Sequence, residues 1–83
     1  VYLGDVYQHQ GNFDLAVNNY LHAVYMVPSA VYPKFKLIEC YRRMGERTLA
    51  REWAIHLLNY PVKVRSAITD ELRKEVRTYL DRL

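Results

Sequence analysis

Apolar residues recur along the chain at the three- and four-residue spacing of amphipathic helices. Apolar pairs four positions apart mark two of these helices, Leu3 with Tyr7 and Leu37 with Tyr41. A longer helix ends before Pro28, and its apolar positions are Phe13, Ala16, Val17, Tyr20, Leu21, Val24 and Val27. This pattern predicts an all-α fold.

The sequence contains an internal repeat with a period of 34 residues. Six residues are identical at this displacement: Leu3 and Leu37, Tyr7 and Tyr41, Gly11 and Gly45, Leu15 and Leu49, Ala16 and Ala50, His22 and His56. In both units a glycine follows the first predicted helix, and a left-handed glycine ends a helix without steric cost. Each unit is therefore predicted to be a helical hairpin, and Pro33 suits the first turn of the second one.

The helical spacing stops within the stretch NYPVKVRSAITDE, residues 59–71. Residues 62–65 alternate apolar and basic side chains, as a short strand does. We interpret the stretch instead as the exit from the repeats. In this interpretation Pro61 ends the second hairpin, the two valines pack against its end, and Lys63 and Arg65 stay in solvent.

A last amphipathic helix is predicted over residues 68–83. Its apolar face consists of Ile68, Leu72, Val76, Tyr79, Leu80 and Leu83, with charged residues around the rest. Ser66 or Thr69 can accept hydrogen bonds from its first amides, and Asp70 and Glu71 complement the helix dipole there. Arg82 falls in its last turn. A stack of repeats needs a polar-backed terminal helix of this kind to cover its last apolar face.

Composition limits the class of protein. The 83 residues suffice for one small domain, and the chain opens at Val1 in helical pattern, so we expect it to be part of a longer protein. All twelve Lys and Arg residues lie from Lys34 onward, but acidic residues are interspersed among them, which favours an ordinary solvated surface. No apolar run reaches the ~18 to 20 residues of a membrane span.

Candidate chemistry is sparse. Cys40 is the single cysteine, so an intrachain disulfide is excluded, and it is predicted to be a small core residue. With His9, His22 and His56 it shows no metal-ligand spacing. There is no glycine-rich phosphate loop and no nucleophile in an activating sequence context. We therefore expect no catalytic, cofactor-binding or metal site.

The segments LGDVY and GNFDLAVNNYLHAVYMVP resemble a tetratricopeptide repeat. The family's order of Leu-Gly-x-x-Tyr, Gly, small Ala, aromatic, small Ala and Pro is matched by Leu3, Gly4, Tyr7, Gly11, Ala16, Tyr20, Ala23 and Pro28. The second unit keeps most of these positions but has Ile38 for the Gly, Ala54 for the aromatic and Leu57 for the small Ala. Gly4 with Tyr20, and Ile38 with Ala54, suggest a large-for-small exchange that conserves volume.

This resemblance implies a right-handed α-α superhelix of two helix hairpins plus a C-terminal capping helix. The expected divisions are repeat 1 over residues 1–30, repeat 2 over 31–61, a connector over 61–67 and the capping helix over 68–83. It also implies a protein-binding groove lined by the first helix of each hairpin. The residues expected there are Tyr2, Asp5, Gln8, His9, Tyr32, Phe35, Lys36, Glu39, Arg42 and Arg43. Val1 and Asp5 replace the residues with which chaperone-binding members begin their carboxylate clamp.

A narrower resemblance covers Tyr32 to Val76. This segment is similar to the C-terminal tails of Bacteroidetes O-antigen ligase or polymerase membrane proteins, and the matching residues are Pro61, Val62, Lys63, Val64 and Ser66. It implies the soluble accessory domain of a bacterial inner-membrane enzyme of lipopolysaccharide biosynthesis, facing the periplasm. A free-standing repeat protein would instead be cytoplasmic.

Three classes of function remain open on these grounds. The first is a protein-interaction or scaffolding module that needs no cofactor. The second is a nucleic-acid binder, which requires one continuous basic patch from Lys34, Lys36, Arg42, Arg43, Lys63 and Arg65. The third is a spacer or self-association unit, which forms a homodimer through an open N-terminal end near Val1, Tyr2 and Val6.

Overall fold

The computed structural model describes residues 3–61 and 66–82, which form five α-helices and no strand. The helices are α1 (Leu3–His9), α2 (Phe13–Met26), α3 (Val31–Met44), α4 (Arg47–Asn59) and α5 (Ala67–Asp81). The all-α prediction is confirmed. The expected contacts of the two connector valines, of Lys63 and of Arg65 lie outside the described residues, as do Val1, Tyr2 and Leu83. None of the five described helices has the length and apolar character needed to cross a membrane.

The two predicted hairpins turn in the same way. Gly11 and Gly45 both have φ of 79°, which is the left-handed conformation expected of them. The amide of Gly11 donates to the carbonyl of Gln8 and that of Asn12 to Tyr7, at 3.0 and 2.8 Å. The same two bonds recur 34 residues later, from Gly45 to Arg42 and from Glu46 to Tyr41, at 3.2 and 2.8 Å. The sequence repeat is therefore also a repeat of backbone geometry.

Local side-chain bonds set where two of the helices begin. Asn12 caps α2 by accepting from the amide of Leu15 at 3.5 Å, and Ser66 caps α5 by accepting from the amide of Thr69 at 3.1 Å. The sequence suggested Ser66 or Thr69 as the residue that caps α5, and Ser66 is the one that accepts the hydrogen bond. Helix α3 begins before Pro33, which lies buried in its first turn.

The core is built around α3, which packs against α2, α4 and α5. Cys40 in α3 is fully buried, so its predicted role as a core residue is confirmed. The buried apolar side chains of the described residues are Ala16, Val17, Tyr20, Leu37, Ile38, Cys40, Tyr41, Ala50, Ala54, Leu57 and Val76. They come from α2, α3, α4 and α5, so one core joins both hairpins to the last helix.

Helices α1 and α2 approach closely at Gly4. A methyl group added at Gly4 would stand 2.7 Å from Cζ of the Tyr20 ring, which is closer than real side-chain contacts allow. The amide of Gly4 donates to Oδ1 of Asn19 at 2.8 Å, which satisfies one of the free amides at the start of α1. The predicted pairing of a glycine with the aromatic residue is confirmed here, and Ile38 and Ala54 are both buried in the second hairpin.

Helix α5 docks on the end of α4. The Arg73 guanidinium donates to the carbonyls of Leu57 and Leu58 at 3.3 and 3.1 Å, and these are carbonyls that the last turn of α4 leaves free. Val76 is the buried residue of α5. Ile68 departs from the predicted apolar face, since 72% of it is exposed at the start of the helix.

Lys34 is buried although it is charged. Only 2% of the residue is exposed, and its ammonium lies 3.6 Å from the centre of the Tyr60 ring. This cation–π contact joins the start of α3 to the residue after α4. Burial lowers the pKa of Lys34, because desolvation disfavours the ammonium form. Lys34 is therefore a core contact and not part of an exposed basic surface.

The N-terminal end of the helix stack carries exposed apolar side chains on α1. Leu3 is 59% exposed and Val6 is 45% exposed. Val6 thus lies where the sequence placed an open end, whereas Val1 and Tyr2 lie outside the described residues. Self-association through this end stays a prediction.

The close approach of Gly4 to Tyr20 predicts that Gly4→Ala destabilises the fold. Overpacking costs about 1–3 kcal/mol, which exceeds the ~1 kcal/mol that Ala gains over Gly inside a helix. The tyrosine ring cannot move away freely, because it is buried and its hydroxyl donates to Asp5. We expect the free energy of unfolding in urea to fall by up to roughly 2 kcal/mol, which is the overpacking cost less the gain in helix propensity.

The Tyr20→Leu background is the control for this prediction. Leucine lacks the ring, so Gly4→Ala is expected to be neutral or stabilising there through helix propensity alone. An equal loss of stability in both backgrounds would show that the ring is not what excludes the methyl group.

Candidate functional site

Three adjoining surface depressions follow α1, α3 and α5. The first is lined by Asp5, Gln8, His9, Lys36, Glu39 and Arg43. The second is lined by Glu39, Arg42 and Arg43, and the third by Arg42, Glu71, Lys74, Glu75, Thr78, Tyr79 and Arg82. Because each depression shares a residue with the next, they form one continuous surface. We call this surface the α1–α3–α5 groove.

Asp5 joins three helices at the first depression. Its carboxylate accepts a hydrogen bond from the hydroxyl of Tyr20 in α2 and another from the hydroxyl of Tyr32 in α3, the latter at 2.9 Å. The Tyr20 ring is fully buried, so its hydroxyl brings a core residue into contact with the groove. Burial, reinforced by the bond to Asp5, raises the pKa of Tyr20 above its usual value, which keeps the hydroxyl a donor.

Glu39 forms a second set of bonds between the hairpins. Its Oε2 accepts from Nζ of Lys36 at 2.9 Å and from Nε2 of Gln8 at 3.4 Å. The first bond is an i, i+3 ion pair within α3, and the second spans α1 and α3. The Tyr20 hydroxyl also lies 3.4 Å from Oε1 of Gln8. The first depression therefore has side chains that are held in place by one another.

Two arginines occupy the middle of the groove. The guanidinium of Arg42 lies 4.4 Å from the centre of the Tyr79 ring, which fixes its position between α3 and α5. Arg43 lines both the first and the second depression. Both side chains are exposed. An ordered guanidinium presents a planar set of donors that matches a carboxylate or a phosphate.

The structure places most of the sequence-predicted groove residues together. Asp5, Gln8, His9, Lys36, Glu39 and Arg43 line one depression, and Arg42 lies beside them. Tyr32 joins this set through its bond to Asp5. Phe35 differs, because it is half-buried and packs against the core. Tyr2 lies outside the described residues.

Helix α5 supplies a side of the groove that the sequence interpretation missed. It was expected only to cover the last apolar face, yet its residues line most of the third depression. A signal was present, since Glu71, Glu75, Thr78 and Arg82 follow one another at the four- and three-residue spacing of a single helical face. That polar stripe indicates a common direction for these side chains but does not indicate that α3 lies opposite.

A second cluster lies on α4, away from the groove. The rings of Trp53 and His56 meet edge to face with 5.4 Å between centres, and His56 also lies 5.6 Å from the Tyr60 ring. Burial lowers the pKa of His56, and the positive charge of Lys34 lowers it further. Glu52, Trp53 and His56 line a depression beside this cluster. The Tyr60 ring of this cluster also contacts the Lys34 ammonium, and this contact joins the end of α4 to the start of α3.

Reactive groups are few in the described part of the chain. Burial raises the pKa of the Cys40 thiol to about 11, so the thiolate that acts as a nucleophile is disfavoured. Across residues 3–61 and 66–82, no three His, Cys, Asp or Glu side chains lie close enough together to hold a metal ion. The groove offers ordered hydrogen-bonding groups and guanidinium charge, which suit binding.

No protein-family model matches this chain, and no curated protein matches it. The likeness to tetratricopeptide repeats and to O-antigen ligase tails therefore rests on the quoted residues alone. The function of the groove is therefore inferred from the side chains that line it.

The position of Asp5 predicts that Asp5→Asn destabilises the fold. An amide has one acceptor oxygen where the carboxylate has two, and it carries no charge, so the bonds from the Tyr20 and Tyr32 hydroxyls weaken. Hydrogen bonds to charged groups contribute about 1.5–3 kcal/mol, and we expect a loss of about 1–3 kcal/mol in urea unfolding because Asp5 is only half-buried.

Asp81→Asn is the matched control, because Asp81 is exposed at the end of α5. Its effect should stay within about 0.5 kcal/mol. If Asp5→Asn unfolded at the same urea concentration as this control, the bridge through Asp5 would contribute nothing to the packing of α1.

Proposed function

We propose that the chain is a non-catalytic protein-interaction module of the tetratricopeptide-repeat type, which binds an extended segment of a partner protein in the α1–α3–α5 groove. The observation that carries this proposal is the continuity of the groove across α1, α3 and α5. A surface that crosses successive helices suits a linear ligand, because each helix contacts a different part of it.

Features of the fold support the repeat type. The turns at Gly11 and Gly45 have the same hydrogen bonds 34 residues apart. Gly4 and Tyr20, which match the family's small and aromatic positions, make the close contact between the helices of the first hairpin. Helix α5 packs on both α3 and α4, as a terminal helix of a right-handed stack would.

Order in the groove also favours binding. Asp5 and Glu39 hold the hydroxyl of Tyr32, the amide of Gln8 and the ammonium of Lys36 before any ligand arrives. Side chains that are already fixed lose less conformational entropy on association, so more of the contact energy appears as affinity. The groove is suited to a partner that meets a preformed surface.

A nucleic-acid-binding function finds less support. The continuous basic patch that it requires would include Lys34, but Lys34 is buried against Tyr60. Lys36 is paired with Glu39, and Glu71 and Glu75 line the third depression. Carboxylates along the groove would repel a phosphate backbone.

For the parent protein, we propose the membrane-bound glycan ligase or polymerase implied by the resemblance of Tyr32 to Val76. In that motif the proline follows the last hairpin and the serine precedes a charged helix. Pro61 follows α4 and Ser66 caps α5, so both residues lie where the resemblance expects them. The gene sequence upstream of Val1 tests the proposal. We expect it to encode several apolar segments of about 20 residues each. Further 34-residue repeats with no such segments would contradict it.

Selection from a display library of random linear peptides tests the binding function. The full 83-residue chain is the bait. Thr78 lies exposed in the third depression, so Thr78→Trp should obstruct the groove. We expect peptides selected on the unmodified chain to bind this variant about tenfold or more weakly by fluorescence anisotropy, since a blocked contact of this size costs over 1.4 kcal/mol.

Thr48→Trp is the control, because Thr48 is also exposed, lies on α4 and lines none of the three depressions. Selected peptides should bind it as they bind the unmodified chain. Equal binding to both tryptophan variants, or a library from which nothing is enriched, would contradict a ligand in the groove.

A further inference from the structure

The carboxylates of the first depression already have donors. Asp5 accepts from the hydroxyls of Tyr20 and Tyr32, and Glu39 accepts from Lys36 and Gln8. A basic ligand would meet carboxylates that already share their acceptor oxygens with other donors, and the charge of Glu39 is already balanced by Lys36. The α1 side of the groove is therefore poorly suited to bind Lys or Arg side chains.

The two arginines in the middle of the groove are not compensated in this way. Within residues 3–61 and 66–82, no carboxylate lies within ion-pair distance of Arg42 or Arg43, and both side chains are exposed. Tyr79 holds the Arg42 guanidinium by a cation–π contact, which leaves its N–H donors unpaired in the described part of the chain. Two neighbouring guanidinium groups can together bind one carboxylate through charge-assisted hydrogen bonds.

The charge along the whole groove agrees with this arrangement. Five cationic residues and four carboxylates line it. Lys36 is paired with Glu39, and Lys74 and Arg82 line the third depression together with two carboxylates, Glu71 and Glu75, so the excess positive charge of the groove lies at Arg42 and Arg43. The carboxylates of Glu71 and Glu75 lie at the α5 end. An anionic group is thus favoured at one place in the groove, and a long polyanion is not favoured along its length.

We infer that the groove binds an acidic, extended peptide segment, with one carboxylate held by the guanidinium groups of Arg42 and Arg43. This inference rests on the proposed function, because it assumes a peptide ligand in the α1–α3–α5 groove. The rest of the segment lies across the ordered side chains of the first depression and the face of α5. The carboxylate is that of an Asp or Glu side chain within the segment, because the segment extends on both sides of the two arginines along the groove.

The test uses peptides selected on the unmodified chain and their counterparts in which every Asp and Glu is replaced by Asn and Gln and the C-terminus is amidated. Fluorescence anisotropy measures both on the unmodified chain and on Arg42→Glu/Arg43→Glu. We expect the acidic peptides to bind the unmodified chain about tenfold or more tightly than their neutral counterparts, because charge-assisted bonds are roughly twice as strong as neutral ones. The double variant should abolish this preference.

Arg47→Glu/Arg51→Glu is the matched control. It makes the same change in net charge at two exposed positions of α4, and it should keep the preference for acidic peptides. Arg42→Gln/Arg43→Gln removes the charge without reversing it and should also lose the preference. Far-UV circular dichroism of each variant verifies that the helices are retained.

The outcomes separate this inference from the proposed function. If neutral counterparts bind as tightly as acidic peptides while Thr78→Trp still blocks binding, the groove binds peptides but the acidic preference is wrong. A preference that persists in Arg42→Glu/Arg43→Glu would also overturn the inference. If Thr78→Trp has no effect, the proposed function itself fails. Displacement of the acidic peptides by single-stranded DNA at lower concentration than by free acidic peptide would overturn it in favour of a nucleic-acid ligand.

Discussion

The burial of α3 on several sides is the constraint on which the structure depends. Helix α3 packs against α2, α4 and α5, and it contributes Leu37, Ile38, Cys40 and Tyr41 to the core. A helix buried on so many sides has one narrow stripe left for solvent, and in α3 that stripe carries Lys36, Glu39, Arg42 and Arg43. Since α1 and α5 lie on either side of this stripe, the groove is a direct result of how the core is packed.

Within the groove, hydrogen bonds divide the charged residues into two groups. Asp5 and Glu39 serve the packing of the hairpins, because their partners come from neighbouring helices. Arg42 and Arg43 have no ion pair in the described part of the chain and so keep their charge available to a ligand. Mixed charge on a helical surface therefore does not mean a neutral surface, because the pairing decides which charges a partner meets.

Particular residues show how far the sequence could predict this arrangement. Gly11 and Gly45 identified the two turns, because no other residue type adopts φ near 79° so readily. Gly4 and Tyr20 identified a close contact through their complementary sizes. The nucleic-acid alternative required Lys34 in a basic patch, but Lys34 is buried, which is rare for lysine. Phe35 was placed in the groove although it packs against the core. Helical spacing gives the direction of a side chain but not how deeply a neighbouring helix covers it.

By itself the sequence determined the helices, their turns and the repeat, because these depend on interactions between residues a few positions apart. Only the tertiary structure decided which polar groups meet. Tyr32 reaches Asp5 across 27 residues and Gln8 reaches Glu39 across 31. Such pairs depend on the rotation and crossing of whole helices, which the packing of the core fixes and no local pattern records. The same packing placed α5 opposite Arg42, and so made a terminal helix part of the groove.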